Sequence, residues 1–165
     1  MLYDVQFRRG PIAALFDLKG DRDTLARWSG KHIPPFPLSP NKFTASGGRW
    51  LFYVGPNHWI LRADIEREEE CERQLRPSEA PPQISIVRIS DVFTPFAVTG
   101  PDAAAIMSIA CPLDLHAAAF GDEDAAFTEI FGLKALVRRL PDGFEFAVEQ
   151  SYGDMVAAYL ARAVA

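Results

Sequence analysis

No run of lysine and arginine occurs anywhere in this sequence, and its formal net charge is −5. Neutralising phosphates takes a positive footprint, so the charge pattern argues against nucleic acid as a partner. Cysteine is scarce: Cys71 and Cys111 supply neither a disulfide framework nor a C-x-x-C site. The three histidines, His32, His58 and His116, stand at spacings that make no zinc signature. Gly-x-Gly-x-x-Gly and the P-loop pattern are missing, so no flavin, nicotinamide or nucleotide cradle is visible in this chain. A Gly-x-Ser-x-Gly elbow is missing too, which removes the ordinary α/β-hydrolase. The opening Met1-Leu2-Tyr3-Asp4-Val5-Gln6 has no cationic n-region or continuous apolar h-region, and polar residues break every apolar stretch before a membrane-spanning length. The expectation is a cytoplasmic protein with no membrane partner.

What is present is ordinary globular material. The 165 residues are 48% apolar and 24% charged, enough for one domain or two tightly fused half-domains sharing a core. Twelve phenylalanines, three tryptophans and four tyrosines must pack a core, with some left to mark a surface that meets a partner.

A pattern occurs twice. Ala14–Leu18 is short, apolar and extended; Gly20-Asp21 punctuates it, and Asp21 suits an N-cap for a helix with Leu25 and Trp28 on one face. About eighty residues later Phe96-Ala97-Val98 is a strand and Thr99-Gly100-Pro101-Asp102 a start signal with capping-box spacing. Ala103, Ile106, Met107 and Ala110 then form an amphipathic stripe, ended by Pro112. Each half continues with a hairpin. Trp50–Val54 turns at Gly55-Pro56-Asn57 and returns through Trp59-Ile60-Leu61, while Lys134–Leu140 turns at Pro141-Asp142-Gly143 and returns over Phe144–Glu149.

A helix follows each hairpin. The first spans roughly Asp64–Arg76, supported by Glu69–Arg73 and Glu72–Arg76 and opposed by Glu66–Glu70. The last carries Tyr152, Met155, Val156, Tyr159, Leu160 and Ala163 as a stripe behind a Ser151-x-x-Asp154 capping box. Arg76–Pro82 reads as a stiff connector, Ile84–Ile89 as the strand opening the second half, and Ile33–Pro37 as an extended surface loop. The expected class is α+β: two pseudo-repeated β-α-β-β-α halves, approximately residues 12–76 and 84–164, with mostly antiparallel sheet.

The densest polar spot is Cys111-Pro112-Leu113-Asp114-Leu115-His116. One reading is a Cys–His nucleophile pair, or part of a metal site, with Asp114 orienting His116; the other is a helix end and chain turn around a small buried thiol. Trp50, Phe52, Tyr53 and Trp59 either stack a flat ligand such as a pterin or pack across strands. The acidic helix either docks a basic partner or is a solvated face. The Pro34–Pro37 loop is either a groove ligand for another protein or simply a rigid loop.

Several of these stretches together resemble a known family. Leu38-Ser39-Pro40-Asn41, Gly48-Arg49-Trp50 and Val54-Gly55-Pro56-Asn57-His58-Trp59-Ile60-Leu61 are similar to an LP-x-x-PN segment followed by an LGPDEWLL hairpin. Thr99-Gly100-Pro101-Asp102-Ala103 resembles its SGPDA helix start, and Cys111–His116 with Phe120 and Thr128 resembles its CPLDLH…F…T run. The order and spacing match over roughly residues 14–163. The family is the gamma subunit of heterotetrameric sarcosine oxidase, whose fold is like the amino-terminal, folate-binding-type domain of aminomethyltransferases. Two places depart from its pattern: Ala117 stands where the family has proline, and Gly121–Thr128 is more acidic.

The resemblance implies that Gly55, Pro56, Trp59, Gly100, Pro101, Asp102, Cys111, Pro112, Leu113, Asp114 and His116 are structural motif positions. It implies a non-catalytic accessory chain with no cofactor, metal or catalytic residue of its own. FAD, FMN, NAD and tetrahydrofolate then lie in partner subunits, among alpha, beta and delta chains. The complex oxidises sarcosine to glycine, making hydrogen peroxide and, with folate, methylenetetrahydrofolate. The alternative is a stand-alone folate-binding, aminomethyltransferase-like protein, needing an acidic residue such as Asp17 or Asp64 for the pterin edge.

Overall fold

The computed structural model describes residues 3–164. The chain is α+β, with two five-stranded sheets whose strand pairs are all antiparallel. It divides into two compact units. Ala13–Ser90 form one, and the residues before and after that stretch together form the other.

In the continuous unit, β2 (Ala14–Gly20) leads into α1 (Arg22–Ser29), then β3 (Phe43–Ser46), β4 (Arg49–Gly55), β5 (His58–Ala63), α2 (Glu68–Leu75) and β6 (Ile84–Arg88). The sheet order is β3-β4-β5-β2-β6. Alternation along β2 sends Ala14, Phe16 and Leu18 to one face, where they pack with Leu25, Leu51, Trp59, Leu61, Cys71 and Leu75. Asp21 caps α1 as expected, its carboxylate accepting from the Thr24 amide at 2.8 Å. The Trp28 indole donates to the Leu75 carbonyl at 2.7 Å and so ties α1 to the end of α2.

The discontinuous unit begins with β1 (Gln6–Arg9). It resumes with β7 (Phe93–Thr99), α3 (Ala103–Ala110), β8 (Ala125–Ile130), β9 (Leu133–Leu140), β10 (Gly143–Glu149) and α4 (Gly153–Val164), in the sheet order β1-β7-β10-β9-β8. All four residues of the α3 stripe are buried, as are Phe144, Phe146 and Val148 on the inner face of β10.

Several expectations are corrected. The Ile84–Ile89 stretch does not open a second half: β6 pairs with β2, from Phe16↔Arg88 to Gly20↔Ile84, so the stiff connector is internal to the first unit. Strands β3 and β8 extend each hairpin by one strand that the coarse β-α-β-β-α string lacked. The predicted helix over 64–76 is split into a 3₁₀ turn, Ile65–Arg67, and α2. In place of the expected Glu72–Arg76 pair, Glu72 bonds Arg88 at 2.8 Å and the Arg76 guanidinium stacks 4.1 Å above Trp28.

Neither expected capping box forms. Thr99 is still in β7, and Asp102 caps no amide of α3. Ser151 sits inside a 3₁₀ turn, and Asp154 instead accepts from Arg9 of β1 at 2.9 Å. The α4 stripe turns on Gly153, Val156 and Leu160, which leaves Tyr152 and Tyr159 partly exposed at 41% and 38%.

The proline-rich loop is not a surface feature either. Ile33, Pro34, Phe36 and Pro37 are buried, and Phe36 meets Trp59 edge-on at 4.8 Å. Prolines lack an N–H, so such a segment enters a core without stranding those donors. Among the described residues no helix is long and apolar enough to cross a membrane.

Candidate functional site

The Cys111–His116 run lies at the end of α3 and is built as a turn. Cys111 is buried, and its amide donates to the Met107 carbonyl at 2.8 Å. Burial pushes its thiol up from the ordinary cysteine range, with only partial relief from bonds to Leu113 and Thr128. Asp114 accepts from the His116 amide at 2.9 Å, an Asx turn, and His116 Nδ1 accepts from the Ala118 amide at 3.3 Å. His116 is exposed while Cys111 is not, so neither the Cys–His pair nor Asp114 orienting the imidazole is present. Arg139 of β9 fastens the run from below, donating through Nε to the Phe120 carbonyl at 2.6 Å and through Nη2 to that of Leu115. Leu113 packs against the core, and Pro112 is exposed just past the helix end. Among the described residues no group of three His, Cys, Asp or Glu is placed to hold a metal ion.

Cys71 is buried in the other unit, and desolvation raises its thiol as well. Thiols held protonated are poor nucleophiles. Both cysteines are therefore expected to resist a disulfide exchange reagent at pH 8 in the native chain and to react fully in denaturant. Fast modification of Cys111 in the folded chain would revive the thiol-enzyme reading.

The remaining motif positions have visible structural roles. Gly100 has φ +119°, and a Cβ there would lie 2.6 Å from the Asp4 carbonyl oxygen. Its neighbour Asp102 accepts from the Asp4 amide at 2.7 Å, so the pair holds the approach to β1. Pro101 is exposed in the turn between them. Gly55 and Pro56 make the β4–β5 turn with Asn57 at φ +55°, and Trp59 is buried in β5.

The four aromatics do not form one platform. Strand alternation puts Tyr53 and Trp59 on the helix-facing side of the sheet with Leu51 and Leu61, and Trp50 and Phe52 on the other. Of the two acids considered for a pterin edge, Asp17 is engaged by His58 through Oδ1 and by Lys19 through Oδ2 at 2.8 Å, whereas Asp64 is exposed.

Sequence reasoning missed a polar cleft in the continuous unit. It has a volume of about 360 Å³ and lies among the 3₁₀ turn at Gly30–His32, the β3–β4 turn and α2. At its base is Arg49, only 6% exposed. Arg49 shares a face with Leu51, so the guanidinium is carried inward; that alternation was the available signal. Its Nη1 donates to the His32 carbonyl, and its Nη2 to Glu70 at 3.1 Å and Gln74 at 2.6 Å. Nε is buried with no hydrogen-bond partner among the described residues, and the Cys71 thiol lies beside the guanidinium. Arg67 reaches the same carboxylate at 3.2 Å and also donates to the Gly47 carbonyl at 2.6 Å.

Those bonds, with Arg67 first, hold the Glu70 carboxyl below its ordinary range. A depressed folded-state value stabilises the fold above the unfolded-state value and is lost as pH falls through the folded one. The Glu70→Gln chain is accordingly expected to show a shallower acid limb in unfolding free energy between pH 5 and pH 3, measured by urea denaturation.

No protein-family model matches the sequence, and no curated protein matches it at a significant level. Solved structures do match. A chain of the heterotetrameric sarcosine oxidase from Corynebacterium sp. U-96, solved with pyrrole 2-carboxylate, superposes with a TM-score of 0.81, covering 97% of this chain and 83% of that one at 20% identity. The two chains share a fold. The glycine cleavage system aminomethyltransferase T from Bartonella henselae matches at TM-score 0.70 and 14% identity, over 95% of this chain and 45% of its own length. The regulatory subunit of aspartate kinase from Thermus thermophilus, ligand free, covers 100% of both chains at TM-score 0.51 and 13% identity. The sarcosine oxidase and aminomethyltransferase likenesses accord with the architecture described above, two mostly antiparallel sheets flanked by helices.

Proposed function

We propose that this chain is the non-catalytic, gamma-type accessory subunit of a heterotetrameric sarcosine oxidase-type flavoenzyme. The observation that carries the reading is the near-complete superposition on a chain of such an oxidase, which agrees with the motif order read from the sequence. Its partners are then alpha, beta and delta subunits, with FAD, FMN, NAD and the tetrahydrofolate site in alpha and beta, and the complex turns sarcosine into glycine. The CPLDLH turn serves as framework: Asp114 Oδ1 and His116 Nδ1 accept from backbone amides of the turn and of the residues just after it. Exposed apolar side chains such as Leu38, Val87, Ile109 and Phe127 are the kind of surface a subunit carries into an assembly.

The internal repeat belongs to the same proposal. Gly20 ends β2 and Gly100 directly follows β7, each ahead of a helix, with φ of +114° and +119°, and each is pressed against a carbonyl in the lead-in to the adjoining edge strand, Gln83 or Asp4. A glycine at positive φ, which it adopts without a Cβ penalty, at the same junction in both units supports the repeat.

Affinity purification of the tagged chain from its native host tests the function. Two larger yellow subunits with sarcosine-dependent peroxide production are the expected companions. A chain recovered alone and colourless would remove the accessory reading, and saturable folate binding by it would favour the stand-alone alternative.

A further inference from the structure

The Arg49 cleft is unbalanced in charge. Lys31, Arg49 and Arg67 line it against a single carboxylate, Glu70, which both guanidinium groups share. A buried cation with half a counter-ion and a donor left unpaired is costly in a low-dielectric setting, and the usual remedy is a further anion. Lys31 is exposed at the rim, and no bond to its ammonium occurs among the described residues. Gln74 and Ser46 add neutral polar groups to the lining, and Ile33 an apolar wall. The rest of the chain is acidic, so this local excess of positive charge is not a general property of the surface.

We propose that the cleft binds a small multivalent oxyanion, a molecule carrying a phosphate or paired carboxylates, with Arg49 fixed at the base as the electrostatic anchor and Lys31 and Arg67 reaching it from the side. Guanidinium groups suit such ligands because their planar N–H forks match carboxylate and phosphate oxygens. Glu70 has two opposed effects: it orients Arg49 and Arg67, and it repels the incoming anion. The inference is independent of the oxidase reading.

Isothermal titration of the full chain with inorganic phosphate and with succinate, at constant ionic strength set by chloride, tests it. Saturable binding of either probe is expected. Phosphate alone assigns a phosphoryl ligand, and succinate alone a dicarboxylate. Lys31→Ala removes an exposed, unbonded charge without touching the core, and should weaken the binding about three- to fivefold. Glu70→Gln deletes the repelling charge and keeps one carbonyl oxygen where Oε1 serves Arg49 and Gln74, so it should tighten the binding about fivefold even if loss of the Oε2 acceptor facing Arg67 makes the free chain melt earlier. A purely structural Glu70 would give weaker binding in that variant. No saturable heat from either probe, an unchanged affinity in Lys31→Ala, or weaker binding in Glu70→Gln would overturn the proposal.

Discussion

Gly143→Ala is expected to lower the unfolding free energy by about 4 kcal/mol, at the extreme of single-substitution effects. Gly143 opens β10 directly opposite Thr99 of β7. A Cβ there would sit 2.1 Å from the Val98 carbonyl oxygen and 2.9 Å from the Thr99 Cα. Both are backbone atoms of the strand beside it, so no side chain can swing away. The ladder itself must part, and β10 lies in the middle of its sheet between β7 and β9. Gly55, a motif position at the corresponding turn of the other hairpin, has open space around its Cβ and no positive φ. Gly55→Ala should therefore stay within about 0.5 kcal/mol of the parent. Urea unfolding of the two variants side by side separates a glycine needed for close approach from one that is not. Equal effects would mean that the β7–β10 contact yields more easily than its geometry implies.

The second large effect is expected in the core of the same unit. Phe146 is 1% exposed and stacks on Phe96 with ring centroids 5.5 Å apart and planes 18° from parallel. The two rings face each other across β10 and β7, with Val137 of β9 opposite Phe146 on the other side. Truncation to alanine removes a buried ring and leaves a cavity that paired strands cannot collapse to fill. The expected loss is about 3–5 kcal/mol. Phe127 in the edge strand β8 is 37% exposed, and the same truncation there should cost well under half as much. Chemical denaturation with the slope held common to both variants checks the pair. A Phe146→Ala loss below about 1 kcal/mol would mean the core had repacked.

The elements that could be read from the sequence were those specified by neighbours in the chain. Asp21 needs only Thr24 to act as a cap, and the α3 stripe needs only its own periodicity. The turns at Pro56-Asn57 and Pro141-Asp142 follow from local backbone preference. What escaped was set by partners far away. Ile84–Arg88 has the same pattern whether it opens a new sheet or borders an old one, and only its pairing with β2 decides. Asp154 is spaced for a capping box, but Arg9, 145 residues away, takes its carboxylate. The cleft was hidden for a related reason. Arg49 is one cation among many in the sequence, and its burial depends on His32, Glu70 and Gln74, which no local motif joins to it. In the Cys111–His116 run the residue types suggested chemistry, but the backbone placed the imidazole outside and the thiol inside.

The placement of β1 has a consequence for the order of assembly. Gln6–Arg9 must find Phe96–Thr99, so an entire unit is strung between two strands of one sheet. In an unfolded chain that search means closing a loop of more than eighty residues. Within the continuous unit, however, the Ile89 amide donates to the Leu15 carbonyl at 2.8 Å and Ser90 Oγ accepts from the Leu15 amide at 3.0 Å. The unit is thus buttoned at its own two ends. Once residues 13–90 have folded, the tether between β1 and β7 shrinks to a handful of free residues, and the entropy of closing it falls by roughly 2 kcal/mol. Nascent chains would complete the middle of the sequence first and then draw the two flanking pieces together. Loosening the button at Ser90 would slow the maturation of a sheet to which Ser90 itself contributes nothing.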